Sequence, residues 1–101
     1  MSLSVRLAAL QESIIPVWVY DHDTFRVRWA NPSALELWRA ATMDELLARD
    51  LSDISPATRT RLDNYLLSLR GGERVVEDWT LYPRGKPTPM TLHGSAVELD
   101  D

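Results

Sequence analysis

The chain has 101 residues, 45% of them hydrophobic and 26% charged, with a formal net charge of -4. That is enough for a single hydrophobic core, too apolar for a disordered chain, and too evenly mixed in charge for a nucleic-acid surface. Cysteine is absent, which excludes a disulfide framework, a thiolate nucleophile, an iron–sulfur cluster and cysteine-ligated zinc.

Residues 3 to 12, LSVRLAALQE, space Leu3, Leu7 and Leu10 at i, i+4 and i+7, the stripe of a short amphipathic helix that has to be buried somewhere. In VWVYDHDTFRVRWAN, Val17 and Val19 alternate with Trp18 and Tyr20, and Phe25, Val27 and Trp29 with Arg26 and Arg28. Two strands around an Asp21-His22-Asp23 turn form a hairpin. Asn31 is a good N-cap and Pro32 suits the first helical position, where its missing N–H costs nothing, so a helix opens at NPSALELWRAA with Leu35 and Trp38 on one face. Thr42-Met43-Asp44-Glu45 is a capping box ahead of Leu46 and Leu47 and predicts a second short helix. Ser55-Pro56 repeats the cap-then-proline start, Leu62, Tyr65, Leu66 and Leu69 keep the helical period, and Gly71-Gly72 supplies a left-handed stop. The longest helix is therefore expected over residues 56–70. RVVEDWTLYP and TPMTLHGSAVEL then read as two strands joined at Arg84-Gly85-Lys86, the second given an edge position or irregular start by Pro87 and Pro89.

Strands and helices are segregated along the chain, with no internal repeat and no long linker. The fold class is α+β: an antiparallel β-sheet with helices packed on one face, preceded by the N-terminal amphipathic helix. Residues 1–13 are read as a helical dimerisation segment and residues 14–101 as the folded domain. The longest apolar run, Ile14 to Tyr20, is broken by Pro16 and is far shorter than the ~20 residues of a membrane span. No basic stretch followed by an apolar one opens the chain, so no secretory signal is expected and the compartment expected is the cytoplasm.

Catalytic signatures are missing: there is no nucleophile elbow, phosphate-binding loop, His-Glu-x-x-His or dinucleotide fingerprint. His22 sits in a predicted turn and His93 on a predicted strand, and neither has a second histidine at metal spacing. Asp21-His22-Asp23 reads as a solvated turn in preference to a weak metal site. Arg59, Arg61, Arg70 and Arg74 are interleaved with Asp63, Glu73, Glu77 and Asp78, so they read as a mixed solvated face.

The strand ending in RVRWAN, the NPSALELW helix start, the TMDELLARDLSD stretch, the long helix ending in RGGERVVEDW and the PRGKP hairpin, in that order, resemble a PAS domain from about Ile14 to Leu99. Asn31 matches the asparagine that in this family ends the second strand and opens the first pocket helix. The resemblance implies a five-stranded antiparallel sheet of order 2-1-5-4-3, with helices walling a pocket against one face. Only four strands can be read here, and a truncation just before the last, central strand is expected. The resemblance further implies a sensory input module, not an enzyme, that biases an attached output domain, either a histidine kinase or a cyclic-dinucleotide enzyme. Haem-binding relatives use a histidine on the long helix, where this chain has none, so haem is not expected. Photoactive flavin relatives use a pocket cysteine, so covalent flavin chemistry is excluded.

Trp38, Tyr65, Trp79, Met90 and His93 lie on elements that face the pocket in relatives, and they are the candidate lining for a small ligand or a non-covalently held flavin. The same residue types also fill an ordinary core. A cavity of ~300 Å³ or more would favour ligand sensing, and a filled interior a constitutive dimerisation module. One face of the Trp18 and Trp29 hairpin has to be covered by the N-terminal helix or by a second subunit, and a homodimer built on that helix is expected. A third reading, an enzyme with a small hydrophobic substrate, needs His93 to converge with Glu77 or Asp78 in one cavity.

Overall fold

A computed structural model of the chain describes residues 3–97. The elements run α1 (Leu3–Leu10), β1 (Trp18–Asp21), β2 (Arg26–Ala30), α2 (Pro32–Leu37), α3 (Met43–Leu47), α4 (Pro56–Arg70), β3 (Val75–Leu81), a 3₁₀ turn (Pro83–Gly85) and β4 (Thr88–Gly94). The chain is α+β with antiparallel strands, as its pattern predicts. Its contacts divide it into two compact units, one reaching Asp53 and the other starting at Ile54.

Each helix start rests on the cap that the sequence shows. Asn31 Oδ1 accepts from Ala34 N at 2.9 Å, Thr42 Oγ1 from Glu45 N at 3.1 Å and Ser55 Oγ from Thr58 N at 3.1 Å, while Pro32 and Pro56 open α2 and α4. Each cap satisfies a backbone donor that has no partner within its own helix. The twin glycines end α4 with Gly72 at φ 89°, where Gly72 N reaches Leu69 O at 3.0 Å and Glu73 N reaches Ser68 O at 3.2 Å. α2 ends on the same motif with Arg39 in the left-handed position at φ 55°. Ala40 N binds Leu35 O at 2.9 Å and Arg39 N binds Glu36 O at 3.1 Å. Nothing in the sequence marks that stop, because glycine usually holds the position.

In the first unit, β1 and β2 pair antiparallel with a register shift between Val19 and Tyr20: Val19 faces Trp29, but Tyr20 faces Val27. Arg28 is the extra residue of this bulge, and it upsets the simple alternation expected for Phe25, Val27 and Trp29. Val27 and Ala30 are buried and Trp29 is only half-buried. α2 and α3 lie against β2, with Ala34 and Leu46 fully buried. Within the single chain the described side chains of α1 leave their stripe largely uncovered. Leu10 is exposed and Leu7 half-buried, and Leu3 lies outside the residues whose side chains are described.

In the second unit, β3 and β4 pair without a bulge from Val75↔Gly94 to Leu81↔Thr88. Period-two alternation then holds strictly: Val75, Glu77, Trp79 and Leu81 share one face with Thr88, Met90, Leu92 and Gly94, and the intervening residues are exposed. The second strand, expected to run to Leu99, stops at Gly94, and residues 98–101 lie outside those described. The hairpins supply the pairs 2-1 and 4-3 of the implied order, and no strand among the described residues joins β1 to β4.

Candidate functional site

The second unit carries a groove of about 580 Å³ lined by Thr58 and Arg61 of α4 and by residues around Trp79 and Met90 of the hairpin. Helical spacing builds it. Arg61 and Tyr65 are four apart on α4, so they project from one face and meet the same residue of β3. The Arg61 guanidinium lies over the Trp79 ring, 4.2 Å from its centroid, and the Tyr65 ring meets Trp79 edge-on at 5.9 Å and 82°. Trp79 is thereby buried, 9% exposed, although it sits on a two-stranded sheet. Its Nε1–H points to Glu77 Oε2 at 3.4 Å, two residues back on the same face.

The charges of the groove are not paired with each other. Arg61 Nη2 donates to the carbonyl oxygen of Asp78, not to its carboxylate, and the Asp78 carboxylate takes the Thr91 hydroxyl at 2.9 Å. A guanidinium has five N–H donors, so most of those on Arg61 have no partner among the described residues. Burial raises the pKa of the Tyr65 phenol above its ordinary value, and the negative charge of Glu77 raises it further.

Gly94 makes room for Tyr65. A Cβ built there would stand 1.9 Å from the Tyr65 hydroxyl oxygen and 2.8 Å from the ring carbon bearing it. The phenol occupies the space that any other residue would fill, and this lets α4 settle on the hairpin.

Of the five residues expected to line a pocket, Tyr65, Trp79, Met90 and His93 lie within the second unit. Trp79 faces Met90 across the hairpin, and both line the groove. His93 does not join them. It pairs with Val76, one step out of phase with Met90, so alternation carries it to the opposite, exposed face. Glu77 shares the Trp79 face and Asp78 the face of His93, but His93 does not line the groove, so it meets neither Glu77 nor Asp78 there as the enzymatic reading needs. Trp38 belongs to the first unit, where it meets the Trp18 ring edge-on at 5.7 Å and 88°. It is 8% exposed, and its buried Nε1 has no hydrogen-bond partner among the described residues.

Arg61 is exposed, as its assignment to a solvated face expects, but the contact of its guanidinium with Trp79 was not foreseen. The signal was its spacing of four from Tyr65, a residue already identified as a pocket candidate. Among the described residues no cluster of three His, Cys, Asp or Glu could hold a metal ion, and no helix is long and apolar enough to cross a membrane.

Among known families, a family model described as PAS domain matches residues 7–70, more than half of the chain. No curated protein and no solved structure matches the chain.

Proposed function

The chain belongs to the PAS domain family, whose members are sensory and signalling input modules, and from that premise we propose that it senses a small molecule in the α4–hairpin groove and biases an attached output domain. The output is a histidine kinase or a cyclic-dinucleotide enzyme, the module is a cytoplasmic homodimer associating through residues 1–13, and it has no catalytic step of its own. Signalling proceeds as a population shift between two arrangements of the dimer. The observation that carries ligand sensing is the groove itself: at about 580 Å³ it falls within the 300–1,000 Å³ typical of small-molecule sites. Arg61, Trp79 and Met90 give it one charge-assisted donor beside an apolar wall.

A second reading, constitutive association without a ligand, is favoured by the apolar side chains left in water near the N-terminus. Ile14 is 91% exposed and Ile15 66%, beside the exposed Leu10.

Native mass spectrometry of freshly purified protein, with an absorbance spectrum alongside, separates the two. Sensing predicts a retained small molecule, or a hit in a metabolite screen that is lost in Arg61→Ala. A dimer that binds nothing in that screen would overturn it in favour of association alone.

A further inference from the structure

Asn31 does more than cap α2. Its Oδ1 accepts from Val17 N at 3.1 Å as well as from Ala34 N, and its Nδ2 donates to Ile15 O at 2.9 Å and to Leu10 O at 3.0 Å. Leu10 is the last residue of α1, so one side chain, fully buried, joins the end of one helix to the start of the next. Two residues on, Ser33 Oγ donates to Ser13 O at 2.8 Å.

Apolar packing does little to fix α1. Leu10 is exposed and Leu7 half-buried, and Ile14 and Ile15 of the connecting segment project into solvent. Hydrogen bonds therefore set where the end of α1 lies, and they are short and directional where apolar contacts can slide.

α2 is also held at its far end. Arg49 donates from Nη1 to Trp38 O at 2.7 Å and from Nη2 to Arg39 O at 3.1 Å, while Glu45 Oε1 accepts from the same Nη2 at 3.0 Å. A helix gripped at both ends moves as a body and carries with it whatever is tied to its first turn.

We propose that Asn31 and Ser33 form a latch that couples α1 to α2, so that a displacement of α2 repositions the N-terminal helix and opening the latch frees it. The coupling rests on the reading of residues 1–13 as the association segment only for its output. The latch itself stands on the geometry of the first unit.

The chain has no cysteine, so cysteines introduced at the exposed Ala9 and Glu36 can carry a spin-label pair across α1 and α2 of the full chain. Dilution with unlabelled protein restricts the signal to pairs within one chain. The expected result is one narrow distance distribution. Asn31→Ser, which keeps a cap oxygen for Ala34 N but loses both Nδ2 donors, should broaden it. Ser33→Ala should raise the detached population about fivefold, the effect of one lost hydrogen bond. Ser33 is only half-buried, so its variant reports even if Asn31→Ser does not fold. Reciprocally, Ala8→Pro, placed on an exposed position of α1, should speed hydrogen exchange at the Ala34 and Leu35 amides.

Unchanged distances in both latch variants, or α2 amides indifferent to Ala8→Pro, would overturn the latch. Sedimentation of the same variants keeps the two ideas apart. A latch that opens while the dimer persists retains the latch and removes α1 as the association helix.

Discussion

The Asn31 corner and the Trp79 groove are each organised by one side chain ringed with neighbours, yet they treat polar groups in opposite ways. At the corner the amide is buried and all four of its hydrogen bonds are made to backbone atoms within the same unit. Around Trp79, Arg61 keeps most of its donors uncommitted at the rim of an open groove. A fully satisfied buried network is costly to disturb and fixes one geometry, whereas a half-solvated one can exchange partners at small cost. The contrast assigns rigidity to the first unit and adaptability to the second, the division that the proposed sensing would use.

The largest effect expected from breaking that contrast is at the corner. Asn31→Ala leaves Leu10 O, Ile15 O, Val17 N and Ala34 N without their side-chain partner and should cost about 3–5 kcal/mol, since each buried group left unpaired costs ~1–3 kcal/mol and water will reach some of them. Urea unfolding of the two proteins measures this. A loss below 1 kcal/mol would show that the corner is not the rigid element of the pair.

That corner also marks how far the sequence could be read. The cap at Asn31 and proline at the next position were legible, as were the capping box at Thr42 and the limits of α4 at Pro56 and Arg70, because each is a local backbone requirement with a short residue signature. The reach of Asn31 Nδ2 to Leu10 and Ile15 was not, since sixteen or more residues separate the partners and no spacing rule connects them. The bulge at Val19/Tyr20 was hidden for a related reason. Alternation in RVRWA looks regular on paper, and only pairing with β1 shows that Arg28 is extra. In the unbulged second hairpin, Trp79 and Met90, named from the family resemblance, face each other, and period two applied from that register would have set His93 aside.

A middle-sized effect is expected at Gly94, where α4 and the hairpin approach most closely. Gly94→Ala puts a methyl group into the Tyr65 phenol and must push that ring away from Trp79, at a cost of about 1–3 kcal/mol, as for other overpacked sites. Double-mutant analysis sharpens the point. In a Tyr65→Ala background the obstruction is gone, so Gly94→Ala should become nearly neutral, and a penalty that persists would place the clash elsewhere.

The smallest effect separates the groove from the corner by pH. Tyr65 keeps its proton longer in the folded state than the ordinary 10.0, through burial first and the charge of Glu77 second. As pH climbs past 10.0 the unfolded phenol ionises before the folded one, the native state then binds more protons, and stability falls with rising pH. Below that range the group contributes no slope. Tyr65→Phe removes the titrating hydroxyl, for which the structure shows no hydrogen bond among the described residues, so it should be nearly silent at neutral pH and should flatten the alkaline decline. Thermal melts of both proteins from neutral pH to well above 10.0 read the difference directly. Parallel curves would mean that the phenol is as solvated in the fold as out of it, despite its edge-on contact with Trp79.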